Sequence, residues 1–388
     1  MAATRSFLGL PADVWRREPF RLFFPLGVLL AWIGIGHWAV YAVGLTHTYS
    51  CSLHGFVQMQ GFMVAFALGF LLTALPRRTQ TSPPSALELI ALAVALIITT
   101  VGALVEAWLI AESAYAALLV VVLQFALRRL LGRAAGRRPP AAFVLIPIAV
   151  LHGLGGAALI GVSNIDSAPA WTMGFGRLLV EQGVFLCLTT GVGNLVLPLV
   201  AGAPPPADFG AAPRERWRAL AYTFVGIAIF TSLLLEQLGW LRAGPLLRAA
   251  VVIVGLGGGA WRGLRKAGLH RRLVKLSVWL IPIGLVAAGL FPDYRVPALH
   301  ILFIGGFALM AFAVATHVAL GHLGLDPLGR PIAVMIAAVM FLLALAARVA
   351  ADASHTYFDH LAWAAGCWLI GSLAWLIYFG PKLLRRPP

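Results

Sequence analysis

Apolar runs of about 20 residues recur along the whole chain, and they restrict its fold more than any other feature. A helix of this length crosses the roughly 30 Å hydrocarbon core of a bilayer. The runs are continuous and do not alternate with polar residues, which favours membrane helices over a β-barrel. The sequence therefore predicts an all-α, polytopic membrane bundle embedded in the lipid bilayer. The twelve candidate spans are residues 21–44, 52–75, 86–106, 112–131, 140–163, 174–200, 217–239, 244–263, 273–291, 297–320, 331–349 and 360–380.

The distribution of charge predicts the orientation of the bundle. The chain carries a formal net charge of +15, although only 11% of its residues are charged. Of its 29 basic residues, 24 fall in the termini and in the loops on one side of the twelve spans. By the positive-inside rule, both termini are cytoplasmic in a multi-pass protein of the inner membrane. The basic excess is then a topology signal, and no nucleic-acid partner is expected.

The longest polar break near the middle of the chain is AGAPPPADFGAAP, at residues 201–213. It divides six spans from six, a layout that also occurs in transporters built from repeats. We predict a single membrane domain over 1–388, with six spans in 1–200, a cytoplasmic Pro-rich linker at 201–216 and six spans in 217–388. No convincing internal copy relates the two halves.

Four histidines lie at similar depth toward the outer side of four different spans: His37, His54, His152 and His300. A polar side chain in a membrane helix is costly unless it has a partner. Neutral imidazole is a good ligand for haem iron, copper or zinc. These residues are therefore candidate metal ligands, and the alternative for each is a hydrogen-bonded core or interfacial histidine.

Two further histidines, His317 and His322, lie at the inner end of the tenth span. On a continuous helix, side chains five residues apart point about 140° apart. Shared ligation by this pair thus requires the helix to end near Gly321. The 17 residues from His300 to His317 cover roughly 25 Å of helix, so an inner site would be separate from an outer one.

Gln58 shares a helix face with His54, and Gly61 begins a stripe of small residues with Ala65 and Gly69. Such a stripe permits the close approach of another helix or of a flat macrocycle. Gln58 and Gly61 are therefore candidate cofactor contacts, although helix packing alone also explains the stripe.

Four charged residues near the outer side fall into two pairs. Arg177 and Glu181 are spaced to form an ion pair on the sixth span, and we regard them as supporting residues of a cofactor site. Glu106 and Glu112 flank the short turn between the third and fourth spans, where we expect both to be solvated.

Three stretches of the chain resemble the NnrS family: GFLLTALPRRT at 69–79, GRLLVEQGVFLCLTTGVG at 176–193 and ALHILFIGGFALMAFAVATHVALGHLG at 298–324. By position, His54 matches the first histidine of the family's H-x-H-E-M element. His300 matches the histidine of its ALH element, and His322 matches that of its SLGH element. The chain departs from the pattern at Phe56 and Val57, which replace the second histidine and the glutamate. It departs again at Arg78, in place of a tryptophan, and at His317, in place of an arginine.

The resemblance implies a haem- and copper-containing membrane protein of the bacterial response to nitric oxide. His54 and His300 would then be outer ligands, His317 and His322 would form or assist an inner site, and His37 and His152 are weaker candidates. No catalytic motif is readable, so enzyme, sensor and scavenger of nitric oxide remain open. The alternatives are a proton-coupled secondary transporter that uses the intramembrane histidines with Arg177 and Glu181, and a metal-free scaffold.

Overall fold

A computed structural model describes residues 6–7, 10–132, 136–210, 212–261, 263–326 and 331–385. In these ranges, eleven helices are long and apolar enough to cross a membrane, and one apolar helix is shorter. The prediction of a polytopic helical bundle is therefore confirmed. We number the helices one to twelve: Phe20–Ala42, Cys51–Thr79, Ala86–Leu104, Trp108–Leu130, Ala141–Val162, Trp171–Ala201, Pro213–Gln237, Ala243–Gly255, Leu269–Leu290, Pro292–His322, Ile332–Ala351 and Tyr357–Leu383.

Helices two, six and ten form the centre of the bundle. They are 29, 31 and 31 residues long, and helix two is the most buried of the candidate spans. The other nine helices pack side by side in a closed ring, in the order one, three, four, five, seven, eight, nine, eleven and twelve. Helix twelve closes the ring by packing against helix one. The chain thus places every fourth helix, beginning with the second, inside the ring.

Each central helix contains a stretch of π-helix: Val57–Met63 in helix two, Leu179–Gly183 in helix six and Ile301–Ala308 in helix ten. The wider i→i+5 turn of a π-helix is rare and is frequent at functional sites. These stretches begin three residues or fewer after His54, Arg177 and His300. The irregular backbone therefore lies beside the candidate site residues on all three helices.

Two predicted boundaries in the second half are wrong. The span predicted at 244–263 ends at Gly255, because Gly257 adopts a left-handed conformation (φ +65°) that separates it from a second, short helix, Gly257–Trp261. The span predicted at 273–291 begins earlier, at Leu269. His270 is therefore a buried residue of helix nine and not part of a cytoplasmic loop.

Both ends of the chain meet at one face of the bundle. Arg21, which is buried, donates a hydrogen bond from Nε to Glu18 Oε2 (2.5 Å). Its Nη1 donates to the carbonyl oxygens of Leu383 and Arg385, at 2.7 Å each. Just before this cluster, the strands Ser6–Phe7 and Leu10–Pro11 pair antiparallel. The shared face agrees with an even number of spans, and its assignment to the cytoplasm stays a prediction.

Candidate metal-binding site

His37, His54 and His300 form a cluster at the opposite end of the bundle, which we call the outer histidine cluster. The ring centres of His54 and His300 lie 6.4 Å apart, and their planes differ by 8°. The ring centre of His37 lies 6.3 Å from that of His54. All three residues are half-buried. Helices one, two and ten thus bring together three of the four outer histidines singled out from the sequence.

Main-chain carbonyls determine which ring nitrogen of each histidine is free. Nδ1 of His37 and Nδ1 of His54 both lie near the carbonyl oxygen of Gly34, at 3.0 and 2.9 Å. Nδ1 of His300 lies 2.8 Å from the carbonyl oxygen of Val296. A carbonyl only accepts, so each Nδ1 carries the hydrogen and each neutral ring keeps its lone pair on Nε2. This is the tautomer that a metal-binding histidine needs.

The separation of His54 and His300 suits two ligands of one metal ion. A metal that binds two opposed imidazole nitrogens at about 2.0–2.1 Å holds the ring centres about 6 Å apart. The Nε2 atom of His37 is buried and has no hydrogen-bond partner among the described residues. Within those same residues, no group of three or more His, Cys, Asp or Glu side chains is arranged to hold a metal ion. The described residues therefore offer a pair of nearly parallel rings, His54 and His300, with the ring of His37 beside His54.

Gln58 and Gly61 lie deeper on helix two. The Gln58 amide donates to the carbonyl oxygen of Ala31 on helix one at 2.9 Å. A Cβ added to Gly61 would stand 3.1 Å from Thr100 Oγ1 and 3.5 Å from Leu30 Cβ. Both residues thus join helix two to its neighbours, and Gly61 serves the close helix packing that the small-residue stripe permits.

Two cations flank the outer histidine cluster. Arg177 forms the expected ion pair with Glu181 at 2.9 Å, and both side chains pack on Gly55, next to His54. Arg348, on helix eleven, pairs with Asp352, and its positive charge acts on both His54 and His300. Arg348 was not singled out from the sequence. The available signal was its position among the few basic residues on the outer side of the chain.

The structure does not bring His152 into the outer histidine cluster. His152 is buried on helix five, and its Nδ1 lies 3.5 Å from the sulfur of Cys187 on helix six. Its ring stacks near Phe230 on helix seven, with 5.8 Å between ring centres. These contacts match a core histidine that packs between helices five, six and seven.

The two inner histidines have different partners. Helix ten ends at His322, one residue after Gly321, so His317 and His322 both still lie on the continuous helix and the geometry does not favour shared ligation. His317 Nδ1 lies instead 3.2 Å from Nε2 of His270. Sequence reasoning missed His270 because it assigned that residue to a loop.

His322 belongs to the inner-face cluster around Glu18. Its Nδ1 lies 3.1 Å from Glu18 Oε1, and its Nε2 lies 3.0 Å from Arg77 Nη1. Burial alone would raise the pKa of Glu18, but hydrogen bonds from His322 and Arg21 and their positive charge outweigh burial and lower that pKa from 4.5 to about 2. Both ring nitrogens of His322 are engaged, and neither offers a free lone pair.

The expectation that Glu112 is solvated is wrong. Helix four begins at Trp108, earlier than predicted, and Glu112 is only 2% exposed. The amide nitrogen of buried Gln60 lies 3.0 and 2.9 Å from its two carboxylate oxygens. Glu106 is exposed as expected. A carboxyl group is thus enclosed between helices two and four.

Comparison with known families identifies the family of this chain. The model of the family described as NnrS protein matches residues 14–386, nearly the whole chain. No curated protein matches the chain. Because the family match covers all twelve helices and every histidine discussed above, the chain belongs to the NnrS family of membrane proteins.

Proposed function

We propose that His54 and His300 would together hold a haem at the outer end of helices two and ten. The proposal rests on two nearly parallel imidazole rings whose centres lie 6.4 Å apart. The residues fit the group, because both rings are already held in the ligand tautomer by Gly34 and Val296. Haem, when bound, would supply an iron atom to which nitric oxide can bind in place of one of the two imidazoles.

The chain's own residues prepare the site in two further ways. Arg348 and Arg177 offer cations near the rings, and guanidinium groups pair well with carboxylates such as haem propionates. Both arginines already have a carboxylate partner, so they are held in place before any ligand arrives. Half-burial between apolar helices lowers the local polarity around a bound metal.

We extend the proposal to copper at the inner pair, His270 and His317. Two imidazole nitrogens on one tetrahedral metal, each about 2.0–2.1 Å from it, stand about 3.3 Å apart. Nδ1 of His317 and Nε2 of His270 are 3.2 Å apart. Imidazole suits copper, and His322 is left out because its nitrogens are engaged by Glu18 and Arg77.

The role we propose is protection against nitric oxide or nitrosative stress in the inner membrane, as the family resemblance implies. The test is an absorption spectrum and metal analysis of the detergent-purified protein. We expect a Soret band and iron in the wild type, and loss of both in His54→Ala and in His300→Ala. The matched control is His355→Ala, which alters an exposed histidine on the same side of the bundle. Wild-type protein without a Soret band, iron or copper would contradict the proposal.

One observation favours a second function, proton-coupled secondary transport. Glu112 is a buried carboxyl group in a membrane helix, and such groups mark proton paths in transporters. This alternative expects uptake or efflux driven by a proton gradient in proteoliposomes, without any bound cofactor. It also expects Glu112→Gln to abolish that transport, whereas the haem proposal expects the Soret band of this variant to be unchanged.

A further inference from the structure

Between the three central helices and helix one lies an apolar cavity of about 120 Å³, which is partly open to its surroundings. Its wall comes from helices one, two, six and ten and includes Phe66, Phe70, Phe185, Val192, Phe307 and Met310. Thr189 is the single lining residue whose side chain has a hydrogen-bonding group. A water molecule needs two to four polar partners, so this wall cannot hold water well.

The cavity lies farther toward the inner face of the bundle than the outer histidine cluster. Met63 and Phe307, which line it, are at the inner ends of the π-helical stretches of helices two and ten. Met63 follows His54 by nine residues, and Phe307 follows His300 by seven, which is roughly 10–14 Å along a helix. The same two helices that carry the nearly parallel rings therefore also form the wall of the cavity.

The size and the chemistry of the cavity limit what can occupy it. A dry cavity of about 150 Å³ lined by Leu, Ile and Phe binds xenon or benzene. A porphyrin is much larger, and the wall offers no cation for a carboxylate or phosphate. The lining residues belong to four candidate membrane spans, helices one, two, six and ten. Molecules that are small, uncharged and soluble in lipid match these limits.

We propose that this cavity binds a small apolar molecule, such as a diatomic gas taken from the bilayer, and delivers it to the outer histidine cluster. The binding step is argued from the lining residues alone, whereas the delivery step rests on the proposed function. In this view, helices two and ten hold the gas at one level and the metal at the next. The bilayer serves as the reservoir, since an apolar gas concentrates in hydrocarbon.

Xenon exchange, measured by ¹²⁹Xe NMR on the full-length protein in nanodiscs, tests the binding step. We expect one saturable xenon site in the wild type. Ala67→Leu and Ala311→Leu, which put extra methyl groups into the cavity, should each weaken xenon binding by about tenfold or more. Ala346→Leu, on the exposed face of helix eleven, is the matched control and should leave xenon binding unchanged.

A further variant tests whether a substitution in the cavity wall weakens xenon binding merely because the protein unfolds. Thr189→Val keeps the shape of the side chain and removes its hydroxyl, so it should bind xenon at least as tightly as the wild type. Absence of a saturable site in the wild type, or equal binding in the wild type and in both Leu variants, would overturn the proposal.

Nitric oxide rebinding after flash photolysis of the haem-loaded protein tests the delivery step. We expect Ala311→Leu to slow rebinding about tenfold with an unchanged Soret band. Unchanged rebinding would overturn delivery. A protein that binds xenon but no haem would instead contradict the proposed function, and it would leave the binding site itself established.

Discussion

At the scale of single residues, Glu112 has an unusual environment. Its carboxylate oxygens accept hydrogen bonds from one neutral amide, that of Gln60, and no cation among the described residues pairs with it. A charge enclosed in this way is costly, whereas a neutral amide in its place is not. We expect Glu112→Gln to be as stable as the wild type or more stable. Glu112→Ala, which leaves the Gln60 amide unpaired, should cost ~1–3 kcal/mol.

Thermal unfolding of the purified variants in detergent measures this difference. Glu106→Gln and Glu106→Ala are the matched controls, because Glu106 is exposed at the same turn, and both should change stability little. If Glu112→Gln loses as much stability as Glu112→Ala, the carboxylate is itself a stabilising group and this reasoning is wrong.

Arg348 gives a second prediction at the residue scale. Its positive charge acts on the rings of both His54 and His300, so it disfavours the more positive, oxidised state of a metal held there. We expect Arg348→Gln to lower the midpoint reduction potential of the bound haem by tens of millivolts, on the order of 1 kcal/mol.

Arg348→Lys keeps the charge and should restore the potential toward the wild-type value. A redox titration followed at the Soret band checks both variants. A lowered potential in Arg348→Lys equal to that in Arg348→Gln would point to lost packing instead of lost charge.

Sequence reasoning found part of this site and missed the rest for a physical reason. His54 and His300 are recognisable because a polar ring in an apolar span needs a partner, and because family motifs mark both. His270, Glu112 and Arg348 were missed because their importance depends on which helix they face. Composition cannot give that, and helix boundaries moved His270 and Glu112 from loops into the bundle.

At the scale of elements, the existence of the central helices was predictable and their irregularity was not. Apolar runs place helices two, six and ten within a few residues. The π-helical stretches leave no mark in the sequence, because π-helix and α-helix accept the same apolar residues. They are supported by contacts with neighbouring helices, such as the approach of helix nine to helix ten.

Gly284 makes that approach possible and supplies a prediction. A Cβ added there would stand 2.7 Å from the backbone nitrogen of Leu302 and 3.1 Å from the carbonyl oxygen of Ala298. Backbone atoms inside a helix cannot move aside, so Gly284→Ala must push helix ten away from helix nine next to His300. We expect a loss of ~1–3 kcal/mol in stability and weaker haem binding.

Haem titration and thermal unfolding measure the two effects. Gly366→Ala on helix twelve is the matched control, because a Cβ there meets no atom within 4 Å. That variant should bind haem normally and be slightly more stable, since alanine favours a helix over glycine. Full haem affinity in Gly284→Ala would separate the position of His300 from this contact.

At the scale of the whole molecule, the number of apolar helices and the shared face of the termini were predictable from two simple rules. Which helices pack against which was not. Span length and the placement of basic residues gave the number of apolar helices and put both termini on one face. Neither rule states that nine helices form a ring around three, because adjacency in a bundle is decided by packing between distant segments. The sequence halves also show no convincing copy, whereas the folded chain repeats its long central helix at every fourth position.

The Glu18 cluster links the ring to the central helices at the inner face. The carboxylate contacts Arg21, Arg77 and His322 and so joins helix one to helices two and ten. Arg21 adds the end of helix twelve. The pKa of Glu18 is lowered from 4.5 to about 2 in the folded protein. The stability it provides is therefore complete above about pH 4.5 and is lost as the pH falls toward 2, by up to ~3 kcal/mol.

Thermal unfolding of the detergent-solubilised protein between pH 6 and pH 2 tests this dependence. We expect the wild type to lose stability more steeply below pH 4.5 than Glu18→Gln, which is less stable at pH 6 and approaches the wild type near pH 2. The matched control is Asp13→Asn, because the Asp13–Arg17 ion pair is exposed to solvent and such pairs contribute little to stability. If the stability of the wild type and of Glu18→Gln falls in parallel with pH, the stability of the bundle does not depend on the charge of this carboxylate.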